Sequence, residues 1–159
     1  MTWERGRAAI EAQVASGELE VVTASDELAQ RFLTEATAHL KSARAISASD
    51  SAGAYQLAYD AARKACSALL AAQGLRATTR GGHIAVQEAV RDQFGGEGGV
   101  AAFRAFPRLR RTRAGAEYPR LDTPTVTEAD ASDAIEAAAG MLTAATGLLD
   151  SGRLTPFQG

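Results

Sequence analysis

Apolar residues recur three and four positions apart along nearly all of the chain, and no alternating run of β-branched residues lies between turns. The pattern predicts an all-α fold. A first short helix is expected over Trp3 to Ala15, ended by Ser16-Gly17 and followed by the connector GELEVVTAS. Within that connector ELEVV has strand character but no evident partner. Ser25 is placed to cap a second helix, with Asp26 and Glu27 against the positive end of its dipole. Leu28, Phe32, Ala36, Leu40 and Ala43 fall on one face of it.

The third helix, Ser51 to Gln73 with Gly74 as left-handed cap, carries the most information. Gln56, Asp60, Arg63 or Lys64, and Ser67 form a narrow polar stripe, and alanines and leucines fill the remaining circumference. So wide an apolar arc belongs to a central helix with neighbours on several sides. Its alanines let those neighbours approach toward the lower end of the roughly 8–10 Å interaxial range. The excess of apolar surface also predicts a two-fold dimer.

After LRATTRGG, a shorter helix is expected from His83 to Phe94, broken by GGEGG at 95–99. Pro107 sits in the first turn of the next helix, where its missing amide is harmless, and Gly115 and Pro119 weaken the far end. A last helix, capped near Thr127, places Ala131, Ala134, Ile135, Ala138, Met141, Leu142 and Ala145 at helical spacing. SGRLTPFQG reads as a loose tail. The organisation is thus an N-terminal helix and connector over 1–24, a helical bundle over 25–150 and a tail over 151–159.

Composition narrows the class. A chain of 159 residues with 46% hydrophobic and 23% charged residues suits one globular domain. Its 17 basic and 19 acidic side chains give no overall field to draw it to a polyanion, so such affinity must be local. Cys66 is the only cysteine, which excludes an internal disulfide and a multi-thiolate zinc site. No metal and no cofactor is called for. No run approaches the roughly 20 apolar residues that span a bilayer, and the amino end lacks the apolar segment of a secretion signal. No membrane association and a reducing cytoplasm are expected.

The charges are unevenly placed. Arg104, Arg108, Arg110, Arg111, Arg113 and Arg120 face the single Glu117 between positions 104 and 120, whereas Asp122 to Asp150 holds six acids and no base. Arginine forks suit phosphate oxygens. The competing reading pairs these arginines with the acidic last helix or with a second subunit.

AYQLAYDAARKACSALLAAQGLRATTRGGHIAVQEAVRDQFG followed by FPRLRRTRAGAEYP resembles the HEPN superfamily, particularly its small stand-alone actinobacterial-type members. The resemblance covers roughly residues 25 to 150. It implies a four- to five-helix up-and-down bundle in a single domain, usually dimeric. Many members are metal-independent ribonucleases of toxin–antitoxin or defence modules, and others bind RNA or nucleotides. It also leaves open a catalytically inactive interaction protein that binds a nucleotidyltransferase-like antitoxin or another partner.

In active members an Arg, a polar neighbour and a His four to six residues on form the motif. Laid onto this chain, these fall on Arg113, Ala114 and Tyr118, so two of the three positions depart. Histidine titrates near about 6.5 and can take the 2′-hydroxyl proton, whereas tyrosine near about 10 is a poor base at neutral pH. Arg113 is then the phosphate anchor and Tyr118 an orienting residue, with Glu117 a replacement base weakened by the adjacent arginines. Arg110, one turn back, is a second cation, and Arg108, Arg111 and His83 complete the phosphate-binding candidates. His83 reads either as facing the arginine site across a dimer or as a capping residue. His39 reads as surface or partly buried, Cys66 as a small core residue, and Tyr55 and Tyr59 as core or dimer contacts.

Overall fold

A computed structural model describes residues 5–96 and 99–159. The expected start of the first helix at Trp3 and part of GGEGG lie outside the described residues. The elements, in chain order, are α1 (Arg7–Ala15), β1 (Leu19–Val21), α2 (Asp26–Ile46), α3 (Ser51–Ala72), β2 (Leu75–Ala77), α4 (Gly82–Phe94), a 3-10 turn (Ala101–Ala105), α5 (Phe106–Glu117) and α6 (Glu128–Asp150). The fold is all-α in class, a helical bundle, as the periodicity predicts.

Local chemistry sets the boundaries. The Ser25 hydroxyl accepts the Leu28 amide at 3.0 Å, and Asp50 accepts the Gly53 amide at 2.9 Å, each satisfying an orphan donor at a helix start. At α6, the Thr127 hydroxyl accepts from the Asp130 amide while Asp130 accepts from the Thr127 amide, a reciprocal capping box. Gly74 ends α3 with φ of 70°, and a Cβ there would meet the Val22 carbonyl oxygen at 2.7 Å.

α3 is the axis of the bundle. Ala54, Ala58, Ala61, Ala65, Ala68 and Leu69 are fully buried, and α2, α4, α5 and α6 all pack on it. The apolar arc from which a second copy was inferred is therefore covered within the chain. On α2 the buried stripe is Ala29, Leu33, Ala36, Leu40 and Ala43. Leu28 and Phe32, expected on that face, lie instead toward a cavity beside α3, because the α2 core stripe starts one residue later.

ELEVV does have a partner. Its Leu19–Val21 pairs antiparallel with Leu75–Ala77 in the register Leu19 to Ala77, Glu20 to Arg76 and Val21 to Leu75. This clip ties the connector to the end of α3. α1 packs on β1 and α4. The tail is also held: Phe157 is buried, its amide donates to the Gln73 carbonyl at 2.7 Å, and Arg7 donates to the Gln158 carbonyl at 2.8 Å. Beneath it Gln73 and Gln93 exchange amide hydrogen bonds of 2.7 and 3.1 Å, so both buried amides are paired. Among the described residues no helix is long and apolar enough to cross a membrane.

Candidate functional site

The arginines of α5 spread around the helix. Arg108 forms an ion pair with Asp133 of α6, as the reading with the acidic last helix expects. Arg104 donates to the Gly95 and Gly96 carbonyls. Arg111 is exposed beside Arg120, on the side of the α5–α6 connection. Arg113 turns toward α3 and Arg110 toward α4.

Both lie near one buried aromatic ring of α3, and Arg113 also borders the polar stripe at Gln56 and Asp60. Tyr59 is 1% exposed, packed edge-on against Phe106 at 5.7 Å between ring centres. The Arg113 guanidinium lies over its face, 5.3 Å from the centroid. Its hydroxyl shares a 2.9 Å hydrogen bond with Nδ1 of His83, which enters from the first turn of α4. Arg110 donates to the Gln87 side chain of α4 at 3.1 Å. Arg113 is also paired with Glu117, one turn on, whose Oε2 is buried.

The stripe itself is an ion network. Arg63 donates to Asp60 Oδ1 through Nε at 3.0 Å, and Lys64 contacts Glu35 of α2 at 2.5 Å. His39 Nε2 is 3.1 Å from Asp60 Oδ2, a carboxylate partner that lies 21 positions away in sequence.

Burial and charge tune these groups. Burial pushes the Tyr59 phenol up to about 12, against the pull of Arg113, so the hydroxyl stays protonated. Burial, aided by the guanidiniums of Arg63 and Arg113, holds His83 below its ordinary value and leaves the imidazole neutral at pH 7. Burial raises the Cys66 thiol far out of the reactive range, as suits a core residue.

Two cavities lie by this cluster, one beside Tyr59 and Asp60 and one beside Arg63 and His83. One, of about 440 Å³, is bordered by Gln56, Tyr59, Asp60 and Arg113. The other, of about 490 Å³, lies between α3, β2 and the start of α4, with Arg63 and His83 in its wall.

Of the residues singled out from sequence, Arg113, Glu117, Arg110 and His83 thus come together within one chain. Arg108 and Arg111 stand elsewhere, and Tyr118, 71% exposed at the end of α5, points to solvent. Tyr59, Asp60 and Arg63 are members that the Arg-containing motif does not include, although the α3 polar stripe holds two of them. Among the described residues no three His, Cys, Asp or Glu side chains gather to hold a metal ion. Compared with known proteins, the chain matches no family model, no curated protein and no solved structure.

Proposed function

We propose that this chain is a HEPN-like protein that binds RNA through a backbone phosphate held by Arg63 and Arg113. The observation supporting this reading is the meeting of Arg113 and His83 on Tyr59, from three different helices, with Arg63 close enough to act on both Tyr59 and His83 and with one cavity beside Arg113 and another beside Arg63. Asp60 and Glu117 offset part of the guanidinium charge, and His83 is neutral. The residual positive field suits the single charge of a phosphodiester better than the double charge of a terminal phosphate. Arg113 is held flat by Tyr59 and Glu117, which reduces the side-chain entropy lost on binding.

Binding rather than turnover is the activity supported. Cleavage by 2′-hydroxyl attack needs a proton acceptor and a donor to the leaving oxygen. His83 suits the first role only in the tautomer whose Nδ1 carries the proton toward Tyr59 and leaves Nε2 bare. The Tyr59 hydroxyl, buried and engaged by His83, is not presented to a leaving oxygen, and Tyr118 faces away. The groups named here all come from one chain.

The test is fluorescence anisotropy with single-stranded RNA in a chelator across a salt series. Arg113→Ala and Arg63→Ala are each expected to weaken binding by about tenfold, near 1.4 kcal/mol, and to flatten the salt slope. Arg111→Ala, on the far side of α5, is the control. RNA affinity unchanged in both site variants would remove the assignment. Absence of salt-dependent affinity in the parent protein would favour the interaction-protein reading, with an antitoxin-like or other protein partner. Products ending in cyclic phosphate would overturn the restriction to binding.

A further inference from the structure

The cavity between α3, β2 and α4 is built differently from the phosphate site. Phe32, Leu70, Leu75 and Val86 form apolar walls, while Thr78 and Ser67 add hydroxyls. Its charged or titratable lining consists of Arg63, Arg76 and His83, and among the described residues no carboxylate lines it. A charge imbalance of this kind within an apolar hollow selects an anion.

The strength of that field limits the charge of the occupant. Arg76 is held by Glu20 at 2.7 Å on the outer edge, and Arg63 is paired with an Asp60 that it shares with Lys64 and His39. His83 presents an imidazole whose Nδ1 is already engaged by Tyr59. Because the Asp60 carboxylate is divided among three cationic or titratable partners, Arg63 keeps part of its field for one anionic group, and a second charge would be buried without a partner.

The apolar side of the hollow is unusually open. Leu28 is 42% exposed at its rim and Phe32 is only partly buried, although both lie on the helix that supplies much of the core. A volume of about 490 Å³ lies within the roughly 300–1,000 Å³ range of small-molecule sites.

We propose that this cavity binds a small organic monocarboxylic acid with an aromatic or branched apolar body, its carboxylate on Arg63 and His83 and its body between Phe32, Leu70, Leu75 and Val86. This site goes beyond the RNA reading and stands without it.

The experiment titrates the full chain with 4-phenylbutyrate, 4-phenylbutanamide and AMP by calorimetry, and follows the His83 ring by NMR. Saturable one-to-one binding of the acid at about 1 mM or tighter is expected, with the His83 signals shifting. The uncharged amide and the Arg63→Gln variant should each bind the acid's site at least about tenfold more weakly. Ser67→Phe, which fills the hollow, and Thr23→Trp, which blocks its rim, should abolish binding at unchanged melting temperature. Two substitutions at different points keep the test valid if one fails to fold.

Equal affinity for acid and amide would reduce the cavity to an apolar patch and overturn the proposal, as would unsaturable binding or binding that survives both blocking variants. AMP binding tighter than the acid would overturn the choice of a carboxylate. The cavity shares Arg63 and His83 with the RNA reading, whereas Arg113 lines the other cavity, so failure here with RNA binding that still depends on Arg113 leaves the phosphate site standing. Acid binding without RNA affinity leaves only the cavity.

Discussion

His83 shows how much a single side chain takes from its surroundings. The folded protein takes up a proton on this imidazole less readily than the unfolded chain does, since burial and the nearby guanidiniums disfavour the cation. Its contribution to stability is therefore complete above about pH 6.5 and drains away as pH falls from there toward the lower folded value. Urea midpoints measured from pH 7.5 to 5.5 should fall for the parent and fall less for His83→Gln; parallel curves would refute this. Glu35 and Asp130, lowered by hydrogen bonds to Lys64 and Thr127 respectively, act only at more acidic pH and do not overlap this window. Tyr59→Phe should cost about 1 kcal/mol, because it leaves Nδ1 of a half-buried ring without its partner. That Arg113 and Glu117 lie one turn apart near the end of a helix was legible from spacing. Their meeting with His83 was not, because Tyr59 makes the link and an aromatic residue on an alanine-rich face reads simply as core.

At the level of elements, the helices were legible because each is written locally, in a cap and a period. Ser25, Thr127 and Gly74 stand where the boundaries fall. The β1–β2 clip was not legible, since its two strands are three residues each and lie more than fifty positions apart. Period reports which face of a segment is apolar and says nothing of a distant edge to pair with. The α2 face was misjudged at its start for a related reason. Leu28, Phe32 and Leu33 offer two overlapping stripes, and only the neighbours decide which is the core. Glycines test the same local rules with opposite signs. Gly74→Ala should lower stability by about 1–3 kcal/mol, because its φ of 70° and the nearby Val22 carbonyl both resist a side chain. Gly147→Ala, in α6 with open space around its Cβ position, should raise stability by about 0.4–1 kcal/mol. Chemical denaturation of the two variants side by side checks both, and a shared sign would refute the account.

Across the whole molecule, the fold class followed from sequence, whereas the closure of the chain did not. The final nine residues look unstructured in composition, yet Phe157 is buried and backbone-bonded at Gln73, above the paired amides of Gln73 and Gln93. One aromatic residue in a polar tail gives too weak a periodic signal to be read. Phe157→Ala should cost about 1.5–3 kcal/mol and raise hydrogen exchange in α1, which Arg7 links to the same tail. An unchanged midpoint would show the contact to be energetically idle. The stitch has a mechanical consequence. Force applied at the two ends would load the Arg7–Gln158 and Phe157–Gln73 contacts first and then lift α1 from α4, peeling the outer layer while the alanine-packed axis stays intact. Stretched in optical tweezers, such a molecule should yield in two steps, a small early extension at low tension followed by the abrupt lengthening of the bundle.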